Sequence, residues 1–396
     1  MSSIGLKLVT RTLFQLGKGR QSGKVISRFY NLLIGSFLLQ KMKPKNIVLA
    51  FSDWFERFIR ESASGKRLLP NGKKIRLGTL LQYKMVYQLI LEFEQRTGKR
   101  LRICLLNRAG LRFLNQEKRY WTHSYKRFSH FLYVEKQYLD NYCTGVFKIV
   151  KTFFNYLQAE KSFPVGEFHR KFVVPAERFT PVTLTPAQLR FLIMDQEFES
   201  GLPSIMKRAK DIFVLGCTLG LRSHDLLSLK KKNIQRTASG MCIVLHTQKT
   251  GAEIKVPLPD YAIKIIRKYT AQSRTYILPR VSGSNLNIQI KRLARLAGWT
   301  EPLPKIRHRR GVPVEIKTKD GKGYRFCDHI TVHSMRRTAI TTLLLMGVDE
   351  TSVRRISGHA AGSREFYRYV ALVQDYFDTA VKSAHQKLIA GPDISA

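Results

Sequence analysis

The sequence predicts a mainly α-helical protein with a small antiparallel β-sheet, built as a helical domain followed by a mixed α/β domain. Three observations carry that prediction. Apolar residues recur at three- and four-residue steps through 46–160, the period of an amphipathic helix. A proline- and valine-bearing break with little periodicity follows, and a helix-opening signal comes after it. Beyond that, two short β-branched runs flank Thr250-Gly251, a hairpin signal in an otherwise helical region.

Residues 1–45 hold nine Lys and Arg and no acid, the first carboxylate being Asp53, so they read as a basic extension. A targeting segment, a DNA-contacting arm and an incidental extension all fit it, and Met42 is a candidate start. From 46 to 165 the pattern is a helical bundle. Phe51, Trp54, Phe55 and Phe58 form one stripe, and Tyr87, Ile90, Leu91 and Phe93 a second. Asp140 to Leu157 supplies a third helix with Val146, Ile149, Val150, Phe153 and Phe154 on its core face. Between them Arg119, Tyr120, Trp121, Tyr125, Lys126, Arg127 and Phe128 interleave cations with rings. Such a stretch either grips phosphates and sugars or is an aromatic core with a solvated basic rim.

Residues 166–184, with Val173, Val174, Pro175 and Pro181, read as a linker, and a second domain as 185–396. Thr185-Pro186-Ala187-Gln188 is a capping box with proline at the first helical position, so a helix opens there. Asp195, Glu197 and Glu199 alternate in what reads as a surface loop. Met241 to Thr247 and Glu253 to Pro257 are the expected strands, and Lys305 to Arg325 is expected to be an exposed basic loop. A helix holding Ala339, Ile340, Leu343 and Leu344 should end at Gly347, Asp349 should cap the next, and Gly358 should end that one.

Composition narrows the function. The 396 residues carry 69 Lys plus Arg against 28 Asp plus Glu, a net charge of +41, which points to a large polyanion as partner. With 44% apolar residues the chain can bury substantial cores, which excludes a wholly disordered basic tail. Five cysteines, Cys104, Cys143, Cys217, Cys242 and Cys327, form no CxxC pair and suit reduced thiols. No apolar run is long enough to span a bilayer, the longest being Leu32 to Leu39, so no membrane partner is expected.

Two segments carry chemistry. Cys217 to Leu226 places Arg222 just after a glycine turn and at a helix start, where backbone N–H groups favour an anion, with Asp225 three residues on. His333-Ser334-Met335-Arg336 puts an imidazole and a guanidinium three apart, on one face of a helix. Two phosphate donors then converge. His329 and His333 have a zinc-compatible spacing, but Ile330-Thr331-Val332 reads as extended, so no metal site is expected.

In this order these residues resemble the tyrosine recombinases, or phage-type integrases, from Thr185 to the C-terminus. The first arginine motif of that family resembles Leu219 to Leu226, its hairpin lysine Lys249, its HxxR box His333 and Arg336, and its glycine-histidine pair Gly358-His359. The tyrosine falls in Phe366-Tyr367-Arg368-Tyr369-Val370. The family usually places it about nine residues past the histidine; Tyr367 is eight and Tyr369 ten beyond, so spacing cannot choose. The aromatic-x-basic-Tyr-aliphatic form of mobile-element integrases selects Tyr369, on a helix with Phe366, Val370, Val373 and Phe377 along one stripe. Asp225 stands where glutamate is common and is expected to support Arg222.

The resemblance implies a tyrosine-recombinase catalytic domain behind a helical core-binding domain. Arg222, Lys249, His333, Arg336, His359 and Tyr369 would be catalytic, no cofactor or metal would be needed, and the DNA would pass through a 3′-phosphotyrosyl intermediate. Expected partners are double-stranded DNA, three further copies of the chain on synapsed sites, and DNA-bending accessory proteins, in a cytoplasmic, nucleoid-associated setting. Integration and excision of a mobile element is the expected task. A type IB-like topoisomerase or a catalytically inactive DNA-binding protein are the alternatives.

Overall fold

The computed structural model describes residues 47–106, 109–172, 177, 180–238, 240–248, 251–271 and 273–390, without the side chains of 375, 376, 379, 380, 383, 384, 387, 388 and 390. The basic extension, Met42, the Leu32 to Leu39 run and Lys249 lie outside the described residues. Two compact units result, the first ending at Ala176 and including Arg309–Gly311, the second holding the rest. The architecture is the one expected, helices with small antiparallel sheets.

In the first unit β1 (Val48–Ala50) leads into α1 (Phe51–Ser64), followed by α2 (Leu77–Thr97), β2 (Arg102–Cys104), α3 (Leu111–His130) and α4 (Asp140–Ala159). β1 and β2 pair antiparallel, Leu49 opposite Ile103. The sequence did not signal this ribbon, because three residues are too few to display a two-residue alternation. The core is aromatic: Phe153 of α4 lies 4.9 Å, ring to ring, from both Phe51 and Phe55 of α1. On α3, Trp121 and Phe128 are buried while Arg119, Lys126 and Arg127 are exposed. The interleaved stretch is thus an aromatic core face with a solvated basic rim.

The second unit opens with α5 (Pro186–Met194), whose predicted capping box has both of its bonds: Gln188 N donates to Thr185 Oγ1 and Thr185 N to Gln188 Oε1. The acidic trio is no loop. Asp195 caps α6 (Gln196–Gly201) by accepting from Phe198 N, and Glu199 pairs with the buried Lys210. α7 (Ser204–Leu219) is buried almost all round and forms the centre of the unit. After it come α8 (Ser223–Leu227), the sheet β3 (Ile234–Thr237), β4 (Gly240–His246) and β5 (Glu253–Pro257), then α9 (Asp260–Thr270) and α10 (Gly283–Leu296). The order is β3-β4-β5, both pairings antiparallel, with Ile243 opposite Ile234 and Val256.

The expected basic loop is instead partly a two-stranded hairpin, β6 (Lys305–Arg309) and β7 (Val312–Ile316). Arg310 and Gly311 both have positive φ, 53° and 78°, as a two-residue turn between strands demands. The density of charge hid the alternation. The chain then runs through α11 (Phe326–His329), α12 (Val332–Leu345), α13 (Glu350–Ser357) and α14 (Arg364–Ala390). Asp349 caps α13 through Ser352 N, and Gly358 ends it at φ 62°, as predicted. On α14 Phe366 and Val373 are buried, but Phe377 is 39% exposed and leaves the expected stripe. Among the described residues, no helix is long and apolar enough to cross a membrane, and the five cysteines are buried free thiols.

Candidate active site

The site grows from the end of α7. Gly220 adopts the left-handed φ of 63° that stops this helix, and the next two residues carry the chain to Arg222, which precedes α8. Among the described residues, Arg222 Nη1 is buried with no hydrogen-bond partner and Arg222 makes no ion pair with Asp225. The expectation that Asp225 supports Arg222 directly does not hold. Asp225, 2% exposed, accepts instead from the backbone N of Gln248 at 3.1 Å. A carboxylate that short is occupied by the amide of the β4–β5 turn.

Arg336 reaches the same place from α12. That helix is fixed at its start by reciprocal bonds between Thr331 and Ser334 and by Asn287 Oδ1, which accepts from Val332 N at 2.8 Å. Gly216 of α7 lets Met335 pack closely, since a Cβ there would collide with its side chain. Arg336 is 6% exposed; its Nη1 donates to Gly220 O at 3.1 Å and its Nη2 lies 3.0 and 3.2 Å from the two ring nitrogens of His359. Burial and then the charge of Arg222 hold the guanidinium down to about 10, with Tyr369 and Asp225 opposing. A buried cation facing another cation, one with a terminal nitrogen unpartnered among the described residues, is an arrangement that an anion would compensate.

His359 is aimed by the glycine before it. Gly358 needs its positive φ, and a Cβ would come within 2.8 Å of Ile254 Cδ1, so the turn packs directly on β5. Burial and the charges of Arg336 and Arg222 depress the His359 imidazole to about 3, so it is neutral at working pH. Its Nδ1 lies 2.8 Å from Ser357 Oγ, a residue sequence reading did not single out. His333, one turn before Arg336, is exposed; partial burial, then Arg337 and Arg336, lower its pKa too. His329 is engaged elsewhere, at 2.8 Å from Leu303 O.

The two candidate tyrosines separate clearly. Tyr369 is half-buried against the cluster of Ile340, Leu344, Val353 and Phe366, with its ring 6.1 Å from that of His359. It is also close enough to Arg336 to affect that residue's ionisation. Tyr367 is 47% exposed and touches only the ring of Phe366 among the ring contacts. The structure therefore gathers Arg222, Arg336, His359 and Tyr369, with His333 on the adjoining helix turn. Lys249 falls outside the described residues, but its neighbour Gln248 is bound to Asp225, three residues from Arg222.

Known proteins resemble this chain in sequence and in fold. Residues 195–374 match the phage integrase family. A protein of Caldanaerobacter subterraneus subsp. tengcongensis, provisionally named a tyrosine recombinase, is 27% identical over 198 residues, 49% of this chain and 62% of its own length. The match thus spans less than two thirds of that relative. Among solved structures, a lambda integrase dimer bound to a COC′ core site superposes with a TM-score of 0.52 at 15% identity, over 89% of this chain and 88% of that one. The Tn1549 transposon integrase in complex with transposon right end DNA gives 0.52 at 16% identity, over 85% and 99%. At these identities the solved structures establish the fold.

Proposed function

We propose, from the premise that residues 195–374 are a phage integrase family domain, that this protein is a site-specific DNA recombinase. It cuts and rejoins strands of double-stranded DNA to integrate and excise a mobile element. The observation that carries the reading is the buried Nη1 of Arg222, without a partner among the described residues, beside the buried guanidinium of Arg336, with Tyr369 adjoining. A phosphodiester resists attack because its own charge repels nucleophiles and that charge spreads in the transition state. The two guanidinium groups offer planar donors to its non-bridging oxygens and lose their mutual repulsion as it binds.

The Tyr369 hydroxyl then attacks phosphorus in line, its proton passing to one of the two imidazoles, His333 or His359, as the bond forms, and the 5′ oxygen of the DNA is displaced. Lys249, next to the tethered Gln248, supplies the proton that the leaving oxygen needs. The 3′-phosphotyrosyl product conserves the bond energy, so a 5′ hydroxyl from another strand reverses the step without ATP. His333 and His359 contribute hydrogen bonds around the phosphate. No metal or cofactor takes part.

In this reading 46–165 is the core DNA-binding domain, 166–184 its link to a catalytic domain at 185–396, and 1–45 a basic extension. Exchange between two duplexes cuts four strands, which calls for four copies of the chain on synapsed DNA, helped by bending proteins at the nucleoid. The test is a nicked duplex carrying the sequences that flank the gene, run on a denaturing gel after incubation. Wild type and Tyr367→Phe should yield a protein-linked strand and Tyr369→Phe none. An adduct that survives Tyr369→Phe overturns the assignment.

A further inference from the structure

We propose that Ser357 is a positioning residue that fixes the tautomer of His359, with the proton on Nδ1 and the lone pair left on Nε2, the ring nitrogen nearer Arg336. The inference rests on the recombinase reading only for its effect on rate; the tautomer follows from local geometry. Arg336 Nη2 is 3.0 Å from Nε2 and 3.2 Å from Nδ1, so the guanidinium alone scarcely distinguishes the two nitrogens. Ser357 does. Its hydroxyl, in a side chain only 1% exposed, lies 2.6 Å from the carbonyl oxygen of Val353, and a carbonyl can only accept. The single hydroxyl hydrogen is therefore committed to Val353. Nδ1, 2.8 Å from the same oxygen, must be the donor.

The consequence reaches Arg336. With Nδ1 protonated, the neutral ring presents an acceptor to Nη2, while Gly220 O takes Nη1 at 3.1 Å. Two acceptors at fixed positions set the plane of the guanidinium and leave its remaining N–H groups for a phosphate. The opposite tautomer would put the proton on the nitrogen nearer the guanidinium and leave Nδ1 as an acceptor facing the Ser357 oxygen, whose only hydrogen is already given to Val353. Hydroxyl, ring and guanidinium thus form a chain from the α13 backbone to the anion site, and Gly358 supplies the turn that lets Ser357 and His359 face each other.

The test has two independent arms. Nitrogen NMR of ¹⁵N-histidine protein at pH 7.5 should find the His359 proton on Nδ1 in wild type, on Nε2 in a substantial fraction of Ser357→Ala, and back on Nδ1 in Ser357→Thr. Single-turnover cleavage by Ser357→Ala should fall about tenfold, the worth of one hydrogen bond, with DNA affinity unchanged and Ser357→Thr recovering much of the rate. A wild-type proton on Nε2 overturns the proposal whether or not any variant folds. So does a folded Ser357→Ala with the wild-type tautomer. If no duplex is cleaved by wild type, the recombinase reading fails, while the NMR arm still decides the role of Ser357.

Discussion

The second unit buries charge in two places, and they are built on opposite plans. On one side of α7, Lys210 and Asp211 are 4% and 2% exposed, yet each has partners: Lys210 pairs with Glu199 at 2.6 Å, and Asp211 accepts from Lys268 at 2.8 Å and the Tyr269 hydroxyl at 2.7 Å. Burial pushes Glu199 up, but the bond and charge of Lys210 outweigh it and hold the carboxyl below its usual range. At the C-terminal end of the same helix, Arg222 and Arg336 bring like charges together around a carbonyl and a neutral ring. The first arrangement is closed within the protein. The second is complete only when something anionic arrives, and a domain that keeps such an uncompensated pair is spending stability on binding.

Substitution should expose the contrast most strongly. Arg222→Ala removes a side chain with no hydrogen bond among the described residues and relieves repulsion on Arg336. Its folding stability should be equal to or above that of wild type, while DNA cleavage falls about 100-fold or more. Asp211→Ala should do the reverse. It leaves the buried Tyr269 hydroxyl without its acceptor and removes a carboxylate near the buried Lys210, costing about 2 kcal/mol, yet the folded fraction should cleave at the wild-type rate. Urea unfolding and single-turnover cleavage on both variants check the pair. If Arg222→Ala were the destabilised one, the two clusters would not differ in kind.

A smaller effect is expected from an anion offered to the intact protein. Sulfate has the charge and shape of a phosphate and suits the paired guanidinium groups of Arg222 and Arg336. At tenfold over its dissociation constant a single site contributes about 1.4 kcal/mol, or roughly 3 °C in melting temperature for a unit of this size. Sulfate also stabilises proteins generally by exclusion from their surface, so the informative quantity is the difference between variants. The shift should persist in Asp211→Ala and shrink in Arg222→Ala. An equal shift in both would mean that the guanidinium pair does not hold the ion.

The closed and open clusters were not equally legible in the sequence. Arg222, His333 and Arg336 are marked by a glycine turn, a helix start or a spacing of three, which are local signs, while His359 and the choice of site as a whole come from the ordered resemblance to tyrosine recombinases. Asp211, Lys210 and Lys268 carry no such sign, because nothing local distinguishes a buried charge from a solvated one; only their convergence from two helices does. The role of Asp225 was misjudged for the same reason, since its partner is a backbone amide 23 residues away. Secondary structure followed that rule as well. Capping signals at Thr185 and Asp349 were reliable guides, whereas the Leu49–Ile103 pairing joins residues far apart in the chain and the β6–β7 hairpin was masked by charge. Tyr369 was chosen over Tyr367 from the local pattern around it, and the two differ in the fold by which face of α14 they occupy.

The subtlest difference between the clusters is in their response to acid. His359 is held near 3 in the folded chain, against an ordinary imidazole value near 6.5, by burial and the two guanidinium charges. A base whose folded pKa is depressed stabilises the fold fully above the unfolded value and loses that contribution as pH falls from about 6.5 toward 3. Over this window the unfolded chain takes up a proton that the native site refuses. His359→Gln abolishes the refusal, so its stability should fall less steeply with acid than that of wild type. The difference in slope should approach, without exceeding, one proton, because the ring is partly solvated. Bound sulfate would neutralise the guanidinium charges, raise the native pKa and narrow the wild-type window toward that of the variant. Urea titrations of both proteins between pH 6.5 and 4, with and without sulfate, measure this directly. Parallel slopes without sulfate would show that the cationic field at His359 is already screened, and the second cluster would then be less open than its geometry says.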